Sequence, residues 1–197
     1  MGKIIGLTGG IASGKSSVSQ FLREEGYQVI DADQVVHDLQ APQGALYQVL
    51  LAEFGPEILQ EDGQLNRQKL GQMLFDNPDL MKKSSQLQNG IIREELARLR
   101  DRLKEKETLF FMDIPLLFEL DYESWFDQIW LVDVEDKVQL ERLKARDGLS
   151  DSQARQRLKA QLPLAQKRQR AHVLLDNNGS LRACLNQVEG LLAKERR

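Results

Sequence analysis

The chain has 197 residues, of which 41% are hydrophobic and 29% charged, and its formal net charge is −3. This composition is typical of a globular protein, and it excludes a low-complexity disordered chain, a collagen-like chain and a bundle of transmembrane helices. The one cysteine, Cys184, cannot form an intrachain disulfide, and the N-terminus lacks the pattern of a signal peptide. The small negative net charge argues against a general nucleic-acid binder. We therefore expect a cytoplasmic protein that binds neither membrane nor nucleic acid.

Short apolar runs alternate with helical patterns along the chain. The predicted strands cover residues 3–8, 27–30, 109–113, 129–133 and 173–175. The predicted helices cover residues 16–25, 45–54, 66–75, 79–106, 137–146 and 150–163, with a last helix after Asn178-Gly179. This alternation predicts an α/β fold, with a parallel sheet covered by helices on both faces. Because residues 35–106 contain helices and no strand, we predict a helical insert there, in a core formed by residues 1–34 and 107–197.

A glycine-rich segment links the first predicted strand to the first predicted helix. It reads Gly9-Gly10-Ile11-Ala12-Ser13-Gly14-Lys15-Ser16 and fits the pattern G-x-x-x-x-G-K-[ST]. Glycines let the backbone wrap an anion with its N–H groups turned inward, and the positive end of the following helix dipole faces the same anion. The Lys15 ammonium can reach the β- and γ-phosphates of a nucleoside triphosphate, and the Ser16 hydroxyl can bind Mg²⁺. The segment predicts nucleotide binding but does not indicate what receives the phosphate.

Carboxylates follow two of the predicted strands. Asp31 and Asp33 come after the second strand, and Asp113 closes the third. The carboxyl ends of parallel strands line the ligand crevice, and Asp31 and Asp33 would point the same way if strand geometry continued. We predict that Asp33 orients the substrate hydroxyl and that Asp113 holds hydrated magnesium together with Ser16. For Asp31 we predict a structural role, as a helix cap or as a support of the site. The alternatives are a helix cap for Asp33 and a turn residue for Asp113.

Positive charge is concentrated between residues 142 and 170, where nine basic residues stand against two acidic ones. Arg142 and Arg146 are four residues apart and share a helix face. Arginines can neutralise the charge that phosphoryl transfer places on the equatorial oxygens. We therefore predict that residues 142–170 form a lid over the nucleotide. The alternative is a solvated helix face.

Further segments make the chain resemble the dephospho-CoA kinase family of phosphate-loop (P-loop) kinases over nearly its whole length. They are Leu7-Thr8-Gly9-Gly10-Ile11, Gly14-Lys15-Ser16, Asp31-Ala32-Asp33, Asp62-Gly63, Leu65, Arg67, Asp113–Glu119, Gln139, Arg142, Arg146-Asp147, Gln161 and Asp176–Ser180. The segment Asp113–Glu119 is the most distinctive of them. The resemblance implies a P-loop NTPase-type three-layer α/β/α fold with a five-stranded parallel sheet, a helical substrate-binding insert and a lid.

The resemblance also implies a reaction, the ATP-dependent phosphorylation of the ribose 3′-hydroxyl of dephospho-CoA, with ATP and Mg²⁺ as cofactors. It implies that Asp33 faces the hydroxyl, that Arg142 is the lid arginine and that Arg146 flanks the nucleotide. The ATP phosphates would lie on the loop residues Ala12, Ser13, Gly14, Lys15, Ser16 and Ser17, next to Gly9, Gly10 and Ile11. We expect Lys15, Asp33 and Arg142 to act in catalysis, in a monomer or a weak homo-oligomer.

The sequence departs from the family pattern at a few positions. Ala12 stands where the family usually has glycine, and we expect it to be tolerated with a negative φ. Ser17 replaces a usual threonine, and His37 stands where the family often has arginine. Asn89-Gly90 replaces a His-Pro pair, so the residues that contact pantetheine stay unassigned.

Other functions of a phosphate loop remain as alternatives. The first is a different small-molecule or nucleotide kinase, a choice that depends on the insert. The second is a GTP-driven switch, but no asparagine is followed by lysine, so N-K-x-D is missing, and the D-x-x-G match at residues 176–179 follows the last strand. The third is a non-catalytic ATP-binding module, which the joint presence of Lys15, Ser16, Asp33 and Arg142 makes the weakest alternative.

Overall fold

The computed structural model describes residues 2–196, so residues 1 and 197 of the predicted core lie outside it. The chain divides into two compact units. Unit 1 contains the described residues up to Ile30 and from Leu103 onward, and unit 2 is Asp31–Arg102. The insert predicted from the sequence, residues 35–106, begins and ends four residues later in the chain than unit 2 does.

Unit 1 is built on a five-stranded parallel sheet, as the sequence predicts. The strands are β1 (Lys3–Gly9), β2 (Val29–Asp31), β3 (Leu109–Asp113), β4 (Gln128–Asp133) and β5 (Val173–Asp176), in the order β2-β3-β1-β4-β5. The central strand β1 pairs Leu7 with Asp113 of β3 on one side and with Trp130 of β4 on the other. Ile4 through Gly9 are all buried, which explains why β1 is a continuous apolar run rather than an alternating one.

The helices follow the predicted pattern with two additions, one directly after β2 and one after Pro163. They are α1 (Lys15–Glu24), α2 (Ala32–Leu39), α3 (Ala45–Phe54), α4 (Arg67–Asp76), α5 (Pro78–Lys104), α6 (Asp136–Asp147), α7 (Asp151–Lys159), α8 (Leu164–Arg170) and α9 (Leu181–Glu195). The single helix predicted over residues 150–163 is wrong at its C-terminal end, because α7 stops at Lys159 and the short helix α8 follows Pro163. Ser150 begins α7 through a capping box with Gln153. Helix α8 has seven residues, of which three are charged and two are glutamine, and it therefore has little apolar pattern to predict it.

Apolar side chains cover both faces of the sheet. On one face, Val18 of α1 and Cys184 and Val188 of α9 pack with Leu7 and Trp130. On the other face, Leu164 of α8 packs with Leu131 and Val134. Burial raises the pKa of the Cys184 thiol, as expected for a cysteine that serves packing alone. The layers are therefore helix, sheet and helix, as predicted.

Unit 2 is helical and has its own apolar core. Leu46, Leu50 and Phe54 of α3 pack with Ile58 and with Leu70 of α4. The Asn66 side chain accepts a hydrogen bond from the Lys69 N–H and caps α4. Gly90 lies within the 27-residue helix α5 and does not end it. Among residues 2–196, none of the helices combines the length and the apolar character that crossing a membrane requires.

Candidate active site

The backbone between β1 and α1 makes a tight turn that leads directly into the first residues of the helix. β1 ends at Gly9, and Gly14 precedes α1 with a left-handed φ of 92° and no side-chain cap. Inside the turn, the Ser13 N–H donates to the Gly10 carbonyl at 3.1 Å. A side chain at Gly14 would be strained at this φ and would also collide with the amide of Asn177. The first N–H groups of α1 have no acceptor within the helix, which makes this end of α1 a site for an anion.

Ala12 also adopts a left-handed conformation, with φ 59°. The expectation of a negative φ is therefore wrong. The loop requires the left-handed region at this position, which explains why the related family prefers glycine there. An L-residue with a Cβ pays about 1–2 kcal/mol for this conformation. The loop of this chain therefore carries local strain at Ala12.

Lys15, the first residue of α1, and Asp113, the last residue of β3, form an ion pair. Asp113, at the end of β3, is only 2% exposed. One of its carboxylate oxygens accepts from the Lys15 ammonium and the other from the Ser19 hydroxyl of α1. Two of the predicted site residues are thus brought together, and the Lys15 ammonium is held at the carboxyl end of β3.

Oxygen donors suited to Mg²⁺ are available at this edge. Mg²⁺ prefers one or two protein oxygens and keeps several waters and phosphate oxygens as its other ligands. The Asp113 carboxylate has further lone pairs beyond the two bonds it accepts, and the Ser16 hydroxyl lies at an exposed position of α1. Ser16 and Asp113 therefore fit a hydrated magnesium ion. Over the described chain there is no cluster of three or more His, Cys, Asp or Glu side chains that could hold a metal ion.

Asp31 and Asp33 play different structural roles in unit 2. Asp31 is the N-cap of α2, and its carboxylate accepts from the N–H groups of Asp33 and Gln34 at 3.0 and 3.2 Å. Asp33 lies in the first turn of α2. Strand geometry does not continue to Asp33, so the two side chains do not share a strand face, and that premise of the prediction is wrong. The cap is Asp31, so the alternative of a helix cap for Asp33 is wrong.

The structure distinguishes the two predicted lid arginines. Arg146 is exposed and paired with Asp147 at 2.7 Å, and the hydrogen bond raises the pKa of Arg146. Arg142 is half-buried and its NH2 donates to the Gly179 carbonyl at 3.5 Å. Within residues 2–196 it has no carboxylate partner at ion-pair distance. Arg142 therefore keeps its charge available for an anionic ligand to a greater extent than Arg146.

A buried ion pair in unit 1 was not predicted. Lys167 of α8 is completely buried, and its ammonium lies 2.8 Å from Glu119. The Glu119 carboxylate also accepts from the Leu162 N–H at 3.0 Å. The pair joins the segment after β3 to the start of α8. The sequence shows Lys167 only as one of nine basic residues, and charge counting cannot separate a buried lysine from an exposed one.

The parallel sheet, the glycine turn after its central strand and the uncapped helix N-terminus at Lys15 define a phosphate-loop nucleotide-binding protein. The comparisons with known proteins specify the family. The family model for dephospho-CoA kinase matches residues 3–183. The chain belongs to the dephospho-CoA kinase family.

Individual relatives agree with this assignment over nearly the whole chain. A dephospho-CoA kinase from Streptococcus agalactiae is 58% identical over 188 residues, which are 95% of this chain and 96% of that protein. The crystal structure of a Thermus thermophilus protein superposes with a TM-score of 0.80 at 33% identity, covering 98% of this chain and 97% of the other. A dephospho-CoA kinase from Campylobacter jejuni gives a TM-score of 0.72 at 25% identity, with coverage of 97% and 98%.

Proposed function

We propose that this chain transfers the γ-phosphoryl group of ATP directly to the ribose 3′-hydroxyl of dephospho-CoA, giving coenzyme A in the last step of its synthesis. The observation that carries the proposal is the phosphate loop at the uncapped start of α1, in a chain whose match to the dephospho-CoA kinase family runs over residues 3–183. The loop accounts for the binding of the triphosphate, and the family match indicates the acceptor.

We assign the phosphates of ATP to the loop from Gly9 to Ser17. The Lys15 ammonium would exchange the Asp113 carboxylate for the oxygens of the β- and γ-phosphates, since both are anionic acceptors of similar geometry. Arg142, which lacks a carboxylate partner among the described residues, would neutralise charge on the transferring group. Arg146 would flank the nucleotide at the edge of the site, after giving up part of its pairing with Asp147.

Asp33 would hold the acceptor hydroxyl by accepting its hydrogen bond, and would take its proton late in the transfer. Phosphoryl transfer has a loose transition state, so positioning and neutralisation of charge contribute more than the strength of the base. Asp33 lies in the first turn of α2, so its backbone is fixed by the cap that Asp31 provides. This makes Asp33 a positioned acceptor rather than a flexible one.

Magnesium, when bound, would neutralise part of the charge of the triphosphate. Ser16 and Asp113 would hold it, the serine through its hydroxyl and the aspartate through its carboxylate or a coordinated water. Residues 35–106 would bind the dephospho-CoA, and residues 142–170 would form the lid. We expect the enzyme to work in the cytoplasm as a monomer or a weak homo-oligomer, which size-exclusion chromatography with light scattering can test.

The direct test is to incubate the purified chain with ATP, Mg²⁺ and dephospho-CoA and to identify the product by mass spectrometry. We expect one added phosphate on the ribose and one ADP released for each coenzyme A formed. Parallel reactions should replace ATP by GTP, omit magnesium in the presence of a chelator, and offer shikimate or adenosine as the acceptor. ADP release without phosphorylated dephospho-CoA would contradict the proposed acceptor.

The role of Asp33 can be tested with Asp33→Asn, using Asp38→Asn on the same helix as the matched control. Asp38 is exposed and hydrogen-bonded to Gln34 at 2.7 Å. We expect Asp33→Asn to lower kcat by two orders of magnitude or more, as for the loss of a catalytic proton acceptor, while the affinity for ATP changes little. The Asp38→Asn variant should keep near-normal turnover. Near-normal turnover of Asp33→Asn would show that Asp33 does not face the hydroxyl.

A further inference from the structure

Three amide side chains hold the phosphate loop from outside, through hydrogen bonds to its main chain. The Gln139 Nε2 of α6 donates to the Ile11 carbonyl at 2.8 Å. The Gln161 Oε1, in the link between α7 and α8, accepts from the Ile11 N–H at 3.0 Å. The Asn177 Nδ2, in the turn after β5, donates to the Ser13 carbonyl at 2.7 Å. Three separate elements thus meet on three peptide groups of one loop, at the main chain of Ile11 and Ser13.

These amides are closely fitted to the loop. Gln139 is 6% exposed and Asn177 is 4% exposed. A Cβ placed on Gly10 would collide with the Gln139 amide, and one on Gly14 would collide with the Asn177 amide. Two glycines of the motif are therefore needed for the approach of these side chains, in addition to the backbone conformation that Gly14 requires.

We infer that Gln139, Gln161 and Asn177 are positioning residues, which orient the peptide groups of the loop for the ATP phosphates. In a trans peptide, the carbonyl of one residue and the N–H of the next point in opposite directions. A donor that draws the Ile11 carbonyl outward therefore turns the Ala12 N–H the other way. The Asn177 amide does the same for the Ser13 carbonyl and the Gly14 N–H.

The inference deepens the proposed function and rests on it, because the orientation of these N–H groups matters for catalysis only if the loop holds ATP. Donors that are oriented before the ligand arrives need no reorganisation when it binds. The net contribution of one hydrogen bond corresponds to about a 3- to 10-fold change in affinity. Each amide is therefore expected to affect the affinity for a polyphosphate by a factor of this size.

Gln161 adds a connection between the loop and the predicted lid. It lies within residues 142–170, and Ile11 and Ala12 also pack against the apolar cluster of Leu140, Leu143 and Ala154 between α6 and α7. The main chain of Ile11 is thus held at its carbonyl by Gln139 of α6 and at its N–H by Gln161 of the α7–α8 link. Because coupling between two sites is reciprocal, polyphosphate bound in the loop would favour this position of the α7–α8 link.

The chemistry of the hydrogen bonds predicts opposite results for the same substitution at two positions. Gln139 acts as a donor, so Gln139→Glu removes the donor and sets a carboxylate against the Ile11 carbonyl. Gln161 acts as an acceptor, so Gln161→Glu keeps an oxygen for the Ile11 N–H. A role in packing alone would make the two variants alike, because Gln and Glu have the same shape. A general effect of negative charge on the anionic ligand would weaken binding in both variants, and thermal unfolding measures separately the cost of placing a carboxylate at the more buried Gln139.

The test measures the dissociation constant of tripolyphosphate by calorimetry, and KM for ATP against kcat, for the full chain. We expect Gln139→Glu to weaken tripolyphosphate binding by about tenfold or more and to raise KM for ATP more than it lowers kcat. Gln161→Glu should stay within about twofold of the parent chain, whereas Gln161→Leu should weaken binding by about 3- to 10-fold. The side chain of Gln161 lines a cavity of about 360 Å³, so leucine is accommodated there without overpacking. The control is Gln156→Glu, at an exposed position of α7.

Equal effects of Gln139→Glu and Gln161→Glu on tripolyphosphate binding, or no effect of Gln139→Glu, would overturn the inference. If Gln139→Glu does not fold, as judged by its thermal unfolding, Gln139→Met and Gln161→Met replace the pair, and both are then expected to weaken binding. Unchanged binding in both methionine variants would again overturn it. Failure of the parent chain to phosphorylate dephospho-CoA would refute the proposed function, and the tripolyphosphate measurements would still decide the role of the amides.

Discussion

The buried ion pair between Lys167 and Glu119 allows a prediction in which the two partners differ in their effect. The Lys167 side chain is fully buried, whereas that of Glu119 is 18% exposed. Among residues 2–196, the partners of the ammonium are Glu119 and the Pro115 carbonyl, the latter at 3.4 Å. Removing Glu119's charge therefore leaves an uncompensated ammonium inside the protein. Removing Lys167 leaves Glu119, whose side chain is partly exposed and whose carboxylate keeps the hydrogen bond from the Leu162 N–H.

The magnitudes follow from this difference in exposure. Breaking a buried pair by removing one partner costs about 3–5 kcal/mol. We place Glu119→Gln at the upper end of this range and Lys167→Met at the lower end. For a chain of this size, each kcal/mol shifts the midpoint of thermal unfolding by about 2–4 °C. Glu119→Gln should therefore lower Tm by about 10–20 °C, and Lys167→Met by distinctly less.

The double variant Lys167→Met/Glu119→Gln provides the decisive comparison, because it has no buried charge at this place. It should be more stable than Glu119→Gln alone. Lys159→Met, at an exposed position of α7, is the control and should change the free energy of unfolding by no more than about 0.5 kcal/mol. Circular dichroism during thermal unfolding measures all four variants. A double variant that is as unstable as the sum of the two single changes would refute the reasoning, since the damage would then not come from an uncompensated charge.

Further predictions concern the loop and the lid. Arg142→Ala should lower kcat by a larger factor than it weakens ATP binding, and its loss of kcat should exceed that of Arg146→Ala. Steady-state kinetics with ATP titrations measures both quantities. A loss confined to ATP affinity would contradict a role of Arg142 in the transition state. Ala12→Gly should leave Tm unchanged or raise it, because the relief of about 1–2 kcal/mol of left-handed strain offsets the about 0.4–1 kcal/mol lost through the greater entropy of the unfolded chain. Ala12→Val should lower Tm. A lower Tm for the glycine variant than for the valine variant would refute the strain at Ala12. The hydrogen bond from Arg146, aided by Arg157, lowers the pKa of Asp147 in the folded chain. The ionised Asp147 therefore contributes its full stabilisation above the pKa of an unfolded aspartate, near 3.9, and this stabilisation is lost as the pH falls through the lower pKa of the folded state. The difference in Tm between the parent chain and Asp147→Asn should therefore be constant at pH 5–7 and shrink below about pH 4, and a difference that grows in acid would contradict this assignment.

The sequence alone determined the features that depend on neighbouring residues. The alternation of apolar runs and helical patterns indicated the parallel sheet, because a strand buried on both faces must be apolar throughout. The glycines before Lys15 and Ser16 indicated the phosphate loop, and Asn66 and Ser150 marked the starts of α4 and α7. Resemblance to a family then supplied the acceptor, which no local pattern encodes. Helix α8 escaped prediction because its seven residues carry too little apolar pattern.

Only the tertiary structure decided which polar side chains act on the loop and which are buried. Gln139, Gln161 and Asn177 reach it from positions 128, 150 and 164 residues away along the chain, and such separations leave no trace in local periodicity. Lys167 looked like any other lysine of a basic segment, and its burial arises because α8 packs on the sheet beside Glu119. The left-handed φ of Ala12 likewise came from closing the turn between β1 and α1, a constraint of geometry that overrides the residue's own preference.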